Sequence, residues 1–248
     1  MDVINLTIVF VVGVICGSFG TLVGGESLIL IPLLIFLGLP PHVALGTNRL
    51  GITGGFVAGW YKFHRKRMIN YRIGIVIAIP ALIGSVLGAN LVLQVKEEIL
   101  RKVIAILTII ILAFIIGQPR VGVEKTNRTI TSHEYVTGAI GSFLTGTYSG
   151  FYGAGAGAFY SYLLILVFGQ TFLESAATRK IATSLVSVMV VMVFAVNEVI
   201  DYSLGIGLFI GLSIGSYIGA HYSDRIGNVW IRRLFPVIVL TMAIKLLL

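Results

Sequence analysis

The sequence predicts an all-α, polytopic membrane protein made of two inverted repeats, each of about five helical segments, with short broken or re-entrant helices among them. Three observations carry this expectation. Hydrophobic residues make up 57% of the 248 and charged residues only 11%, with a mean hydropathy of +1.00, far from the composition of soluble domains. The apolar runs are long, several of them able to cross about 30 Å of hydrocarbon at about 1.5 Å per residue, and the gaps between them are short. The second half then repeats the first at a constant offset of 131 positions, without a gap. The 30 glycines fit the same class, since small residues let transmembrane helices approach backbone to backbone.

Several function classes fall away on the same grounds. A formal net charge of +8 in a soluble domain would point to nucleic acid; here the basic residues gather in the short gaps, where they set orientation, and no nucleic-acid partner is expected. The lone Cys16 excludes an internal disulfide and, with no His or Cys at ligand spacing, offers no metal site; it reads as a small packing residue. Gly153-Ala154-Gly155-Ala156-Gly157 is no dinucleotide fingerprint, because no strand precedes it and no acidic partner follows at the required distance. No cofactor is expected, and no nucleophile stands with a base, so no enzyme is expected. Residues 1–5 lack the positive start of a signal peptide, so the first apolar run is expected to stay as a helix.

Taken in order, residues 3–23 read as the first spanning helix. After Gly24-Gly25, the run 26–37 covers only about half a bilayer before the breaker Gly38-Leu39-Pro40-Pro41. Residues 42–61 follow, carrying Thr47-Asn48-Arg49 near their start, and the strongly basic stretch 62–67 closes them. Residues 71–93 and 99–116 read as plain spans. The longest hydrophilic segment, with Arg120, Lys125 and Arg128 against Glu124 and Glu134, reads as a linker. The chain thus divides into a first transmembrane repeat, 1–117, a cytoplasmic linker, 118–134, and a second transmembrane repeat, 135–248.

The repeat is visible residue by residue. Gly24 matches Gly155, Gly38 matches Gly169, Thr47 matches Thr178 and Tyr71 matches Tyr202; Gly84-Ser85-Val86-Leu87-Gly88-Ala89 matches Gly215-Ser216-Tyr217-Ile218-Gly219-Ala220, and Arg101 matches Arg232. The signs of two corresponding gaps give the relation between the copies. Positions 62–72 hold five Lys or Arg and no acid, whereas 197–202 hold Glu198 and Asp201 and no base. By the positive-inside bias the first faces the cytoplasm and the second faces out, so the repeats are expected to be inverted. An odd number of segments per half agrees, placing the linker and the gap around Arg225 inside and both termini outside, although Lys245 pulls the other way.

Inverted repeats broken at corresponding positions point to a secondary transporter with its site near the midplane. Irregular backbone survives at that depth only inside protein or beside a wet cavity, and helix starts after the breaks offer N–H groups and a positive dipole end to an anion. The candidate substrate contacts are Thr47, Asn48, Arg49, Thr178 and Arg179, with Gly24, Gly25, Gly153 and Gly155 allowing backbone approach. Arg49 or Arg179 supplies charge-assisted hydrogen bonds. Against this, Arg49, Arg179 and Lys180 also fit snorkelling or topology signals, and the threonines fit helix-helix contacts. Glu26 and Glu174 are the candidates for proton coupling; Glu26 also suits a helix dipole, and Glu174 completes a Thr171-x-x-Glu174 capping box. His64 and His133 read as solvated and His221 as interfacial.

The run Gly17-Ser18-Phe19-Gly20-Thr21-Leu22-Val23-Gly24-Gly25, then Pro32, Gly38 and Ala44-Leu45-Gly46-Thr47-Asn48, resembles the sulfite exporter TauE/SafE family of membrane transporters. Gly150-Phe151-Tyr152-Gly153-Ala154-Gly155-Ala156-Gly157 through Ala177-Thr178 resembles that family's second copy, so the likeness covers essentially the whole chain. It implies transport of a sulfur-containing anion such as sulfite, sulfoacetate or a related organosulfonate across the inner (cytoplasmic) membrane, with the lipid bilayer and a small anion as partners. The chain departs from the family pattern at Glu26, which follows only two glycines, at Asn48 and Arg179, where serine commonly follows the threonine, and at Leu163, the counterpart of Pro32. The working expectation is alternating access; a passive anion channel and a non-transporting assembly partner are the alternatives. The coupling ion, a proton or another, the direction and the oligomeric state stay open at this point.

Overall fold

A computed structural model describes residues 3–117 and 131–222 of the chain. Among them run nine helices: α1 (Val3–Val23), α2 (Ser27–Phe36), α3 (Pro41–Arg65), α4 (Tyr71–Leu93), α5 (Glu97–Gly117), α6 (Ser132–Phe151), α7 (Ala156–Phe168), α8 (Phe172–Val196) and α9 (Tyr202–His221). Four stretches, Val3–Leu22, Tyr71–Leu93, Phe172–Val196 and Tyr202–His221, are long and apolar enough to cross a membrane. The chain is an all-helical, multi-pass membrane protein. Residues 118–130 of the expected linker, and Arg225, Arg232, Lys245 and the expected fifth segment of the second half, lie outside the described residues.

Three element ends differ from the sequence reading by more than one residue, each for a local reason. The third helix runs on to Arg65, because Lys62, His64 and Arg65 in its last turn complement the negative end of the helix dipole. The fifth starts at Glu97, with two carboxylates favourably placed in its first turn. The sixth begins at Ser132, inside the expected linker, because Thr131 and Glu134 form a capping box in which the Thr131 N–H donates to the Glu134 carboxylate over 2.5 Å.

The offset of 131 carries over into the backbone. Moving α3 by 131 positions gives the limits of α8, and α4 and α9 start at equivalent residues, Tyr71 and Tyr202. Left-handed residues recur in the same way: Gly24 and Gly155 (φ 81° and 75°), Gly38 and Gly169 (98° and 64°), Arg67 and Glu198 (55° and 58°). The last pair is not glycine, and few residues of that kind take a positive φ, so their coincidence marks the same tight turn after α3 and after α8. The short helices, α2 with 10 residues and α7 with 13, reach about 15–20 Å at about 1.5 Å per residue, less than a bilayer.

Packing crosses between the halves. The first helix lies along α9 and α6 lies along α4, while α3 and α8 meet at the centre and touch α9 and α4 respectively. Small residues make these contacts possible. A Cβ on Gly215 or Gly219 would run into the carbonyl of Val14 or Ser18 on α1, and one on Gly84 or Gly88 into that of Phe143 or Thr147 on α6. Bulk faces outward instead: along α4, Ile75, Ile79, Ile83, Leu87 and Leu91 are exposed at every fourth position, while Ile77, Ala81, Gly84, Ser85 and Gly88 are buried. This inversion of the soluble pattern suits helices whose association in lipid rests on close packing.

Each half also caps the other. Asn70 and Asp201, 131 apart, start α4 and α9 by accepting the N–H groups of Ile73 (3.1 Å) and Leu204 (3.0 Å). Their own N–H groups donate across the molecule, Asn70 to the Thr178 hydroxyl (3.2 Å) and Asp201 to the Thr47 hydroxyl (2.9 Å).

Candidate functional site

The break between α1 and α2 passes through Gly24 and Gly25 (φ 81° and 92°), and that between α6 and α7 through Gly153 and Gly155 (φ 78° and 75°). A side chain in this region of backbone space costs roughly 1–2 kcal/mol, and glycine avoids it. Glycine also leaves room, since a Cβ on Gly24 would lie 3.1 Å from Nη1 of Arg179. Both breaks line one cavity, with about 320 Å³ of empty space including its open mouth. The rest of its wall comes from Gly20 on α1, Glu26 and Ser27 at the start of α2, Phe56 on α3, Gly157 on α7, and Arg179, Lys180 and Thr183 on α8.

Arg179 is 2% exposed. Its Nη2 donates to the carbonyls of Leu22 (2.8 Å) and Thr21 (3.3 Å) in the last turn of α1, groups that have no partner within their own helix. Its Nη1 has no hydrogen-bond partner among the described residues. Arg49, 3% exposed, does the corresponding thing in the other direction: its Nη2 donates to the carbonyl of Ser149 in the last turn of α6, and it lies against Gly153, where a Cβ would collide with it. Each arginine thus leaves its own half to hold the end of the other half's first helix, a favourable position for a cation at a negative dipole end.

Lys180 follows Arg179 on α8, is 2% exposed and carries its Nζ 5.2 Å from the centroid of the Phe56 ring, within cation-π range. Glu26, 7% exposed, leaves Oε2 without a hydrogen-bond partner; Gly20 makes space for it, since a Cβ there would lie 2.5 Å from that oxygen. Behind the wall, Asn48 donates from Nδ2 to the Ser27 hydroxyl (3.0 Å) and leaves Oδ1 unpartnered. Between α3 and α8 the Thr53 hydroxyl donates to the Arg49 carbonyl (2.8 Å) and lies 2.7 Å from the Ser187 hydroxyl.

Of the residues singled out in the sequence, the fold brings Gly24, Gly25, Gly153, Gly155, Arg179 and Glu26 to one cavity. Asn48 reaches it through Ser27, and Arg49 backs it through Gly153. Thr47 and Thr178 do not line it; they hold the Asp201 and Asn70 turns. Glu174 stands at the start of α8 in the expected capping box, accepting the Thr171 N–H (3.0 Å) while Thr171 accepts its own (3.2 Å). Lys180 and Phe56 were not among the candidate contacts. The offset does flag Lys180, because it occupies the position of Arg49 in the second copy; nothing in the sequence flags Phe56, whose counterpart is Ser187.

The electrostatic balance is one-sided. The buried basic and acidic side chains gathered here are Arg49, Arg179 and Lys180 against one carboxylate, Glu26. An uncompensated charge away from water is costly, and Nη1 of Arg179 leaves a hydrogen-bond donor unused beside the cavity's glycine-lined walls. Among the described residues, no group of three His, Cys, Asp or Glu gathers to hold a metal.

A family model described as "Sulfite exporter TauE/SafE" matches residues 9–246. Among curated relatives, a "Probable membrane transporter protein" of Haemophilus influenzae is 32% identical over 176 residues, 71% of this chain and 68% of the relative. "Probable membrane transporter protein YfcA" of Escherichia coli is 26% identical over 242 residues, covering 98% of this chain and 89% of the relative. YdhB of Bacillus subtilis, with the same description, is 25% identical over 97% of this chain and 94% of the relative. No solved structure matches the chain significantly.

Proposed function

The chain belongs to the sulfite exporter TauE/SafE family, and from that premise we propose that it is a secondary transporter carrying a small sulfur-containing anion, sulfite, sulfoacetate or a related organosulfonate, across the cytoplasmic membrane by alternating access. The observation that carries the reading is the set of three buried cations against one carboxylate around a cavity walled by glycine backbone from both halves. A sulfonate or sulfite group presents several acceptor oxygens, which suits the free Nη1 of Arg179 and exposed main-chain N–H groups. Gly24, Gly25, Gly153 and Gly155 let the anion approach the backbone. Asn48 acts through Ser27, Arg49 adds positive potential from behind Gly153, and Glu26 is the acid close enough to the cargo to couple it to a proton.

Alternating access has a natural pivot in the two halves. Their helices share one register, and each arginine ties its half to the first helix of the other, an arrangement that suits halves inverted with respect to each other and rocking about a central site. Thr47 and Thr178 then keep the turns beside that pivot in place, and Glu174 starts the helix that carries Arg179.

Counterflow in proteoliposomes tests the proposal. Purified protein is reconstituted, and uptake of labelled sulfite or sulfoacetate is measured with and without unlabelled anion inside. Trans-stimulation is the expected result. Flux without trans-stimulation would mean a passive anion channel, and neither flux nor a thermal shift with any anion would mean a non-transporting assembly partner.

A further inference from the structure

Resting on the anion-transport reading, we propose that the cavity selects its cargo by charge: it takes anions with two negative charges, with Lys180 as the selecting cation and Glu26 as the acid that sets the balance. Two polar atoms aimed into the cavity are more than nine-tenths buried and unpartnered, Arg179 Nη1 and Glu26 Oε2. They differ in sign. Beside them Lys180 presents its ammonium on the same wall, with the Phe56 ring as its neighbour. A ring face stabilises the charge without neutralising it.

The count then decides. With all four groups ionised, the three buried basic side chains and one carboxylate leave two positive charges in a region shielded from water. A divalent anion brings the region to neutrality, whereas a monovalent one leaves a cation uncompensated. Geometry agrees with the count, because Arg179 cannot turn its whole guanidinium to the cargo: Nη2 is held by the carbonyls of Thr21 and Leu22, while Nη1 is buried on the cavity without a partner. A second negative charge therefore falls to Lys180. Phe56 and Gly59 set where that ammonium stands, Gly59 by leaving the space through which the lysine chain passes, since a Cβ there would lie 3.0 Å from its Cε.

Charge added to a shared sulfonate is the variable to test. Sulfoacetate and isethionate are sulfonates of similar size with two negative charges and one. Their affinities for the purified full-length protein are measured by calorimetry or thermal shift, for the natural protein and for Lys180→Met, Lys180→Arg and Glu26→Gln. Sulfoacetate should bind at least about tenfold tighter than isethionate, because one unit charge at contact distance inside a protein is worth more than that factor. Lys180→Met should bring the ratio close to one, and Lys180→Arg should restore it, which a purely structural lysine would not do. Glu26→Gln removes a negative neighbour and should tighten both anions about tenfold or more, giving an independent reading if Lys180→Met does not fold. Equal affinities in the natural protein, or an unchanged ratio in folded Lys180→Met, or unchanged affinities in Glu26→Gln, would overturn charge selection and leave anion transport standing. Absence of binding by both sulfonates and by sulfite would overturn both.

Discussion

Asn48 and Arg49 on α3 and Arg179 and Lys180 on α8 hold the same two register positions, 131 residues apart, on helices of the same length. The first pair puts a neutral amide where the second puts a guanidinium, so the first half offers one cation and the second two. Their surroundings differ in the matching sense: Glu26, on the first half, stands where the second half has Gly157. A Cβ on Gly157 would collide with Arg179 Nη1. One backbone plan has thus been kept in both copies while the chemistry has been divided between them, with the cavity's cations coming from α8 and its acid from α2. Each half sends one arginine to a carbonyl of the other half's first helix, but from register positions that do not correspond, Arg49 standing opposite Lys180 and Arg179 opposite Asn48; of the two arginines, Arg179 lines the cavity and leaves Nη1 without a partner.

If that division is right, substitutions in the two halves should separate. Arg179→Ala should have the largest effect, a loss of anion affinity of about a hundredfold or more, since both a charge and its hydrogen bond disappear, while membrane insertion and the helical signal by circular dichroism stay as they were. Unchanged uptake with unchanged apparent affinity would break the comparison outright. Gly157→Ala should come next, at roughly tenfold or somewhat more, because the added methyl displaces the unpartnered Nη1 of Arg179 without touching the charge. Arg49→Gln should cost a factor of about five in affinity, as a charge acting from behind Gly153 is weaker than one in contact; a loss equal to that of Arg179→Ala would show that the first half also supplies a direct contact.

The smallest effect should be the symmetrical one. Thr47→Val and Thr178→Val each leave a turn N–H, of Asp201 or Asn70, without its hydroxyl, at a cost of about 1–2 kcal/mol. Equal drops in thermal midpoint, with binding affinities within about twofold of the natural protein after the usual span of hydrogen-bond losses is allowed for, would confine these threonines to the scaffold. A difference between the two would sharpen the comparison instead, by showing that one turn is tied to the cavity.

The fold was legible because lipid leaves few solutions for an apolar chain. Backbone groups must be satisfied within helices, so length and hydropathy suffice to place α1, α4, α8 and α9, and the offset of 131 aligns α3 with α8 to the residue. The ends of elements were less legible, since Thr131 and Glu134 read as linker until their capping box is seen. The site was legible in part. Left-handed glycines and a buried arginine are rare enough in apolar sequence to stand out, and they do meet. Thr47 and Thr178 stood out for the same reason, yet a hydroxyl at depth serves a stray main-chain N–H as well as a substrate, and composition does not distinguish the two. Phe56 was invisible, because one aromatic among 14 phenylalanines gains its role only from the lysine that packs against it.

The crossing of helices between halves bears on how the protein is made. Gly13 and Gly17 of α1 pack against α9, the helix that covers most of α1 among the described residues and that leaves the ribosome roughly 180 residues later, tens of seconds at about 5–20 residues per second. Through that interval the first helix sits in the bilayer with its closest-packing surface open to lipid and to other nascent chains. Biogenesis therefore has a vulnerable middle period, and truncation ahead of α9 should yield a product that cells degrade rather than a half-transporter.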